Sequence, residues 1–155
     1  ARNISVTLAW DGPYEQATSI VRKAGIYMVI AGWKGSDGNY NPSTYILLDI
    51  GQSGEAADRL ASHDREDCWE RNKPTGSTLL FKFAAMPSSQ FDETDRRIVE
   101  CCLRFHNRPL PCGIECNQAY DRPDSVSITN TGQFKPLREV TLADQNKYGT
   151  GEKQV

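Results

Sequence analysis

The longest uninterrupted apolar stretch in this chain, Ile26-Tyr27-Met28-Val29-Ile30-Ala31, is only strand-sized. A helix that crosses a bilayer needs about 20 apolar residues, so no such helix is expected and the fold must be assembled from short elements. At 155 residues the chain is long enough for one domain with a real core and no need of disulfide staples. Its 38% apolar and 25% charged residues are those of an ordinary globule. With 12 Gly and 8 Pro, it is not a low-complexity chain. A formal net charge of −2 excludes a basic coat, so any nucleic-acid contact has to come from a local patch. No basic segment followed by an apolar core opens the chain, so no secretory leader is expected. Five cysteines, an odd number without framework spacing, predict reduced thiols and a cytoplasmic setting.

Alternation from Ile4 to Trp10 predicts a half-buried strand, and Asp11-Gly12-Pro13 a turn. Residues 14–23 read as a short helix ended by Gly25. Strands follow over 26–31 and 45–50, antiparallel about the Gly/Asn/Ser-rich loop 32–43. Ser53 is placed to cap a helix running to about His63, with Glu55 in its first turn. Leu79–Phe83 reads as a strand. Asp92–His106 reads as the best helix, with acids at its start, Arg and His at its end, and Ile98, Cys101, Cys102 and Phe105 as its buried stripe. Residues 125–129 and 134–142 read as further short strands. The expected fold is α+β, a small antiparallel sheet flanked by helices, as one domain over 1–142 with a polar tail over 143–155.

Several chemistry-bearing residues fall at the ends of these elements. Tyr27 points away from Ile26 and Met28, with Val29 and Tyr45 as candidate face-mates. Arg59 and His63 are four apart and share a helix face distinct from that of Ala56 and Leu60. Glu100 lies between Arg96 and Arg104 on the polar side of its helix. Asn117 follows a proline-rich break.

Taken together, Gly25-Ile26-Tyr27, Asp49-Ile50-Gly51, Arg59, His63, Glu100 and Asn117 resemble the GIY-YIG nuclease superfamily over about residues 25–117. The joint order carries the resemblance: Ile-Gly at a strand end, Arg eight residues after that Gly, His four further on, Glu in the next long helix, then Asn. The resemblance implies a nuclease core and a divalent metal, Mg²⁺ or Mn²⁺, held by Glu100. It implies that Tyr27 is the general base or orients the attacking water, and that Arg59 binds the scissile phosphate. His63 would assist proton transfer or contact phosphate, and Asn117 would brace the site.

That chemistry is physically coherent. One carboxylate can hold a hydrated Mg²⁺ whose other ligands are water and phosphate. A guanidinium fork matches phosphate oxygens. A phenol with an ordinary pKa near ~10 needs nearby positive charge to act as a base.

The second motif carries an acid, Asp49, where the family has tyrosine, and the 32–43 loop lengthens the interval after Tyr27. Asp49 is open to three roles: an extra metal ligand, a base partner for Tyr27, or the mark of lost catalysis. Tyr45, four residues earlier, is a candidate substitute on the same strand face. Two functions follow: a metal-dependent nucleic-acid phosphodiester hydrolase, with DNA the favoured substrate, or an inactive nuclease-fold module that binds nucleic acid or a protein partner. No membrane partner is expected. The bland alternatives are a core Tyr27, an exposed Arg59–His63 pair and a solvated Arg96–Glu100–Arg104 ladder. Cys102, His106, Cys112 and Cys116 offer soft ligands for zinc, but their spacing argues against a zinc site. Cys68-Trp69 reads as a pin to the core, and Arg65, Arg71 and Lys73 as a candidate phosphate-tracking patch or an ordinary solvated surface.

Overall fold

A computed structural model describes residues 3–20, 22–56, 65–107, 109–113 and 125–144, the last five as backbone only. Six strands form one sheet: β1 (Asn3–Tyr14), β2 (Gly25–Gly32), β3 (Ile46–Ser53), β4 (Thr78–Ala85), β5 (Ser125–Gly132) and β6 (Val140–Asp144). Their spatial order is β3-β2-β4-β1-β5-β6. Two α-helices are described, α1 (Glu66–Asn72) and α2 (Glu93–His106).

The α+β class holds, but the sheet is mixed rather than antiparallel. β1 pairs antiparallel with β4 on one side and parallel with β5 on the other, in register from Asn3↔Ser125 to Trp10↔Gly132. A parallel pair requires a long crossover, and here it spans most of the chain. β1 alternates as expected, burying Ile4, Val6, Leu8 and Trp10. It does not stop at Asp11. Gly12 takes φ +118°, and β1 continues through a bulge to Tyr14 opposite Phe81. Any Cβ at Gly12 would crowd the Phe81 carbonyl, so glycine lets the two strands stay paired there. The helix expected over 14–23 is accordingly absent from the described residues, and only a 3-10 turn at Ala17–Ser19 forms. Of the strand expected over 134–142, only the part from Val140 onward forms, and β6 extends it to Asp144, two residues beyond the expected domain edge. Residues 145–155 of the expected tail lie outside the described residues.

The two faces of the sheet are covered differently. α2 packs Ile98, Val99, Cys102 and Leu103 onto one face, against Ile26, Met28 and Ile30 of β2 and the inward row of β1. The opposite face is covered over β2–β4 by Ala56, Trp69 and Cys112, packed on Tyr27, Val29, Phe81 and Phe83. β2 is therefore buried along its whole length. α2 starts with a capping box: the Asp95 N–H donates to Asp92 Oδ1 at 2.8 Å, and the Asp92 N–H to Asp95 Oδ2 at 3.0 Å.

The expectation of reduced thiols is corrected. Cys68 of α1 and Cys112 form a disulfide with Cα atoms 5.8 Å apart, and Cys101 is also disulfide-bonded, to a partner outside the described residues. Cys102 is the buried free thiol. Odd parity hid the pairing, because one cysteine sits apart in the helix stripe. Among the described residues no helix is long and apolar enough to cross a membrane.

Candidate functional site

The site grows from the pairing of β2 with β3. Tyr27 stands opposite Gly51, and Val29 opposite Asp49. Paired residues in a sheet project to the same side, so Tyr27, Asp49 and the bare face of Gly51 share one face. Gly51 matters because a Cβ there would overlap the Tyr27 ring and hydroxyl. The phenol lies flat across β3 only because the residue beneath it is glycine. Tyr27 is 1% exposed.

A β-bulge between Asp49 and Leu47 sets where Asp49 points. Val29 pairs with Asp49 and the next residue, Ile30, with Leu47, so Leu48 is the extra residue. Leu48 and Asp49 therefore both face the Tyr27 side, where Leu48 joins the core with Trp69. The bulge also overturns the expectation for Tyr45. That ring packs against the α2-side core, with the Lys82 ammonium 4.7 Å from its centroid, on the face opposite Asp49 and Tyr27. It cannot stand in for a second tyrosine.

Asp49 is fully buried, at 0% exposure. A buried carboxylate must be compensated, and here Arg65 and Trp69 supply the donors. Arg65 donates from Nε to Oδ2 at 2.7 Å and from Nη2 to Oδ1 at 3.3 Å, while Trp69 Nε1 donates to Oδ2 at 2.8 Å. Three charge-assisted or neutral donors leave this carboxylate committed to holding α1 against β3.

The outer edge of β3 is lined by polar groups rather than left open to another strand. The Leu48 carbonyl accepts from the Cys112 N–H at 3.0 Å. The Ile50 carbonyl accepts from Arg104 Nε at 2.7 Å. The Gln52 N–H donates to Glu100, and Arg96 Nε donates to Gln52 Oε1 at 3.2 Å. Arg104 Nη1 lies 3.5 Å from Glu100 Oε1. Of the expected Arg96–Glu100–Arg104 ladder, the Glu100–Arg104 rung is formed, while Arg96 bonds to Gln52 and the Phe91 carbonyl instead; both arginines are buried against the strand edge rather than solvated.

Glu100 keeps 13% of its side chain exposed. Burial pushes its carboxyl above the ordinary range, while Arg104, the Gln52 N–H and Arg65 pull it back and Asp49 adds to the push. Glu100 therefore lies within electrostatic reach of both Asp49 and Arg65. Tyr27 and Glu100 meet the sheet at adjacent residues, Gly51 and Gln52. Just beyond them Ser53, the last residue of β3, accepts from the Glu55 N–H at Oγ at 3.0 Å; the body of the helix it was expected to cap lies outside the described residues.

The structure therefore places Asp49 and Glu100 within electrostatic reach of one another and seats Tyr27 over Gly51, on the face of the sheet opposite the one that α2 covers. The expectations for Arg59, His63, Asn117 and Cys116 lie outside the described residues. Arg65 was read from sequence only as part of a phosphate-tracking patch or a solvated surface and Trp69 only as a pin to the core, although an acid inside an apolar strand signals a buried donor somewhere. Arg65 turns inward to Asp49, whereas Arg71 is exposed and Lys73 pairs with Glu70 at 3.7 Å. The 32–43 loop leaves the far end of β2, where Lys34 and Tyr40 form a bridge.

Among the described residues no three His, Cys, Asp or Glu side chains cluster as a metal cage. Glu100 is engaged by Arg104 and the Gln52 N–H and keeps 13% of its side chain exposed. Asp49 does not fit as a ligand, because its oxygens already face Arg65 and Trp69. Cys112, one of the soft ligands considered for zinc, is bonded to Cys68 instead. No family model matches the sequence, and neither a curated protein nor a solved structure matches the chain.

Proposed function

We propose that this chain is a metal-dependent nucleic-acid phosphodiester hydrolase, an endonuclease-like enzyme of the GIY-YIG kind with DNA as the favoured substrate. The observation that supports this reading is that the Tyr27 phenol lies over Gly51 while the Glu100 carboxylate accepts from the N–H of the next residue, Gln52. A glycine is used to seat the phenol, and a helix brings the acid to the next residue.

In this reading Tyr27 orients or deprotonates the attacking water, helped by the cationic groups that line the β3 end. Arg59 binds the scissile phosphate, His63 assists the proton, and Asn117 braces the site. Glu100 would hold Mg²⁺ or Mn²⁺, which when bound supplies charge neutralisation at the phosphoryl group. Arg104, fixed to the Ile50 carbonyl, sets the direction of the Glu100 carboxylate.

A second reading is favoured by the depth of Tyr27 and by the full engagement of Asp49 with α1: a nuclease-fold module that binds nucleic acid or a protein partner without cutting. One assay separates the two. Supercoiled DNA, single-stranded DNA and RNA are incubated with the protein in Mg²⁺, in Mn²⁺ and in EDTA. Cleavage that requires metal and vanishes in Glu100→Ala and Tyr27→Phe supports the hydrolase. Salt-dependent retention of nucleic acid without cleavage supports the module, and neither result leaves a protein partner.

A further inference from the structure

We propose that Arg96 is a phosphate-contacting residue of this site, a guanidinium held inside the protein by Gln52 that presents Nη2 to a phosphodiester oxygen at the Gly54 turn. The inference rests on the nucleic-acid reading above and adds a contact that the sequence pattern does not contain.

Arg96 is a buried charge without a counter-charge. It is 7% exposed, yet its two hydrogen bonds go to neutral groups. Nε donates to Gln52 Oε1 at 3.2 Å, and Nη1 donates to the Phe91 carbonyl at 3.4 Å. Among the described residues no carboxylate forms an ion pair with it. Its neighbours on α2 do find one: Arg97 lies 2.7 Å from Glu93, and Arg104 lies 3.5 Å from Glu100. Glu93 feels the Arg96 charge, but its carboxylate accepts from Arg97. Burying a cation is costly unless an anion meets it. An arginine kept only for its apolar stem has no need of that charge.

Nη2 is the open end of the group. It donates to nothing among the described residues and is not sealed from solvent. It lies 4.0 Å from the point where a Cβ would stand on Gly54. Gly54 is exposed and follows directly on the end of β3 at Ser53. With no side chain there to cover the guanidinium, an incoming oxygen can reach it.

Gln52 fixes the group beside Glu100. Its side chain accepts from Arg96, and its backbone N–H donates to Glu100. Arg96 and Glu100 are also one turn apart on α2. A planar fork, charged at every physiological pH and anchored on the same residue as the carboxylate proposed to hold the metal, suits an anionic ester bound at this end of β3.

The test reads binding and melting, so it does not depend on turnover. Affinity for a short fluorescent DNA duplex is measured in EDTA, from about 50 to 200 mM chloride, as log K against log salt. Arg96→Met is expected to make that plot shallower by about 0.9, the loss of one phosphate contact. Arg97→Met, at a position with 43% of the side chain exposed, is expected to leave the slope unchanged. Without DNA, Arg96→Met is expected to melt at or above the parent temperature, because it removes a buried charge that nothing in the free protein neutralises. A lower melting temperature with an unchanged slope marks a role in the fold alone and overturns the proposal.

Arg96→Gln guards against a methionine variant that fails to fold. It keeps a donor for this pocket and loses the charge, so the same change of slope is expected. A folded Arg96→Met or Arg96→Gln with the parent slope, or an equal change in Arg97→Met, overturns the role of Arg96 and leaves the proposed function standing. A parent protein that neither retains nor cuts the duplex overturns both. Inorganic phosphate that still raises the melting temperature of such a parent, and does so less in Arg96→Met, assigns the seat to a free anion instead.

Discussion

Tyr27 lies across Gly51, its partner in the β2–β3 pair, so closely that a methyl group at Gly51 would overlap the phenol. Gly51→Ala is therefore expected to force the ring aside and to destabilise the fold by about 1–3 kcal/mol, the usual cost of overpacking. Thermal melting reads that cost. In a Tyr27→Val background the same methyl group has room, so the penalty should largely disappear. Any cleavage activity should fall in Gly51→Ala toward the level of Tyr27→Phe, because both changes act on the same hydroxyl.

Glu100 offers the opposite relation between stability and activity. Burial raises its carboxyl pKa, and so outweighs the arginines and the Gln52 N–H. A carboxylate whose folded pKa lies above its unfolded value makes the protein less stable as pH rises through that interval. Glu100→Gln removes this penalty and still accepts from the Gln52 N–H. It is expected to melt at or above the parent temperature at neutral pH while metal-dependent cleavage is lost. Melting curves at pH 4, 5.5 and 7 should show the parent losing ground to the variant as pH increases.

Lys82 gives a second pH signature of different sign. Its side chain is buried on the α2 side of β4, where Nζ donates to the Gln133 and Lys135 carbonyls, each at 2.8 Å. Burial lowers its pKa to about 8. The unfolded chain then holds more protons than the folded one between about 8 and the ordinary lysine value, so this group adds stability as pH rises across that window. The neutral amine still has two hydrogens for its two carbonyls. Urea denaturation at pH 7.5, 9 and 10.5 is expected to show this rise in the parent relative to Lys82→Met.

The Cys68–Cys112 disulfide closes a loop of 44 residues. Chain entropy alone assigns such a loop about 4 kcal/mol, and typical measured effects are 2–4 kcal/mol. Reductant, or Cys68→Ser with Cys112→Ser, is expected to shift the urea midpoint downward by that order. Cys102 serves as an internal control. It is buried, with its thiol pushed up to about 12, so iodoacetamide should not modify it until the chain is unfolded. Mass spectrometry before and after denaturation checks this.

Legibility in the sequence followed the locality of the cause. The apolar run of β2, the alternation of β1 and the charged ends of α2 are local signals, and each element lies where it was read. What was not legible depended on distant partners. β1 passes Gly12 because β4 offers an opposite strand, and α1 forms because Trp69 and Cys68 find Asp49 and Cys112. The bulge at Leu48 separates Tyr45 from Asp49, although a strict two-residue period would align them. For the site, the antiparallel pairing of the strands around the 32–43 loop followed from their order, but the seat of Tyr27 on Gly51 did not. The Arg65–Asp49 bond did not, since nothing in the segment around Arg65 says which acid it will meet.

The placement of β1 has a consequence for biosynthesis. Its parallel neighbour begins at Ser125, so Asn3 meets its partner only after the 122 positions that separate them have been synthesised. High contact order of this kind slows folding, and until β5 arrives one flank of β1 remains an open template. Its outward row of Ser5, Thr7 and Ala9 is small or polar, which limits off-pathway association during that wait.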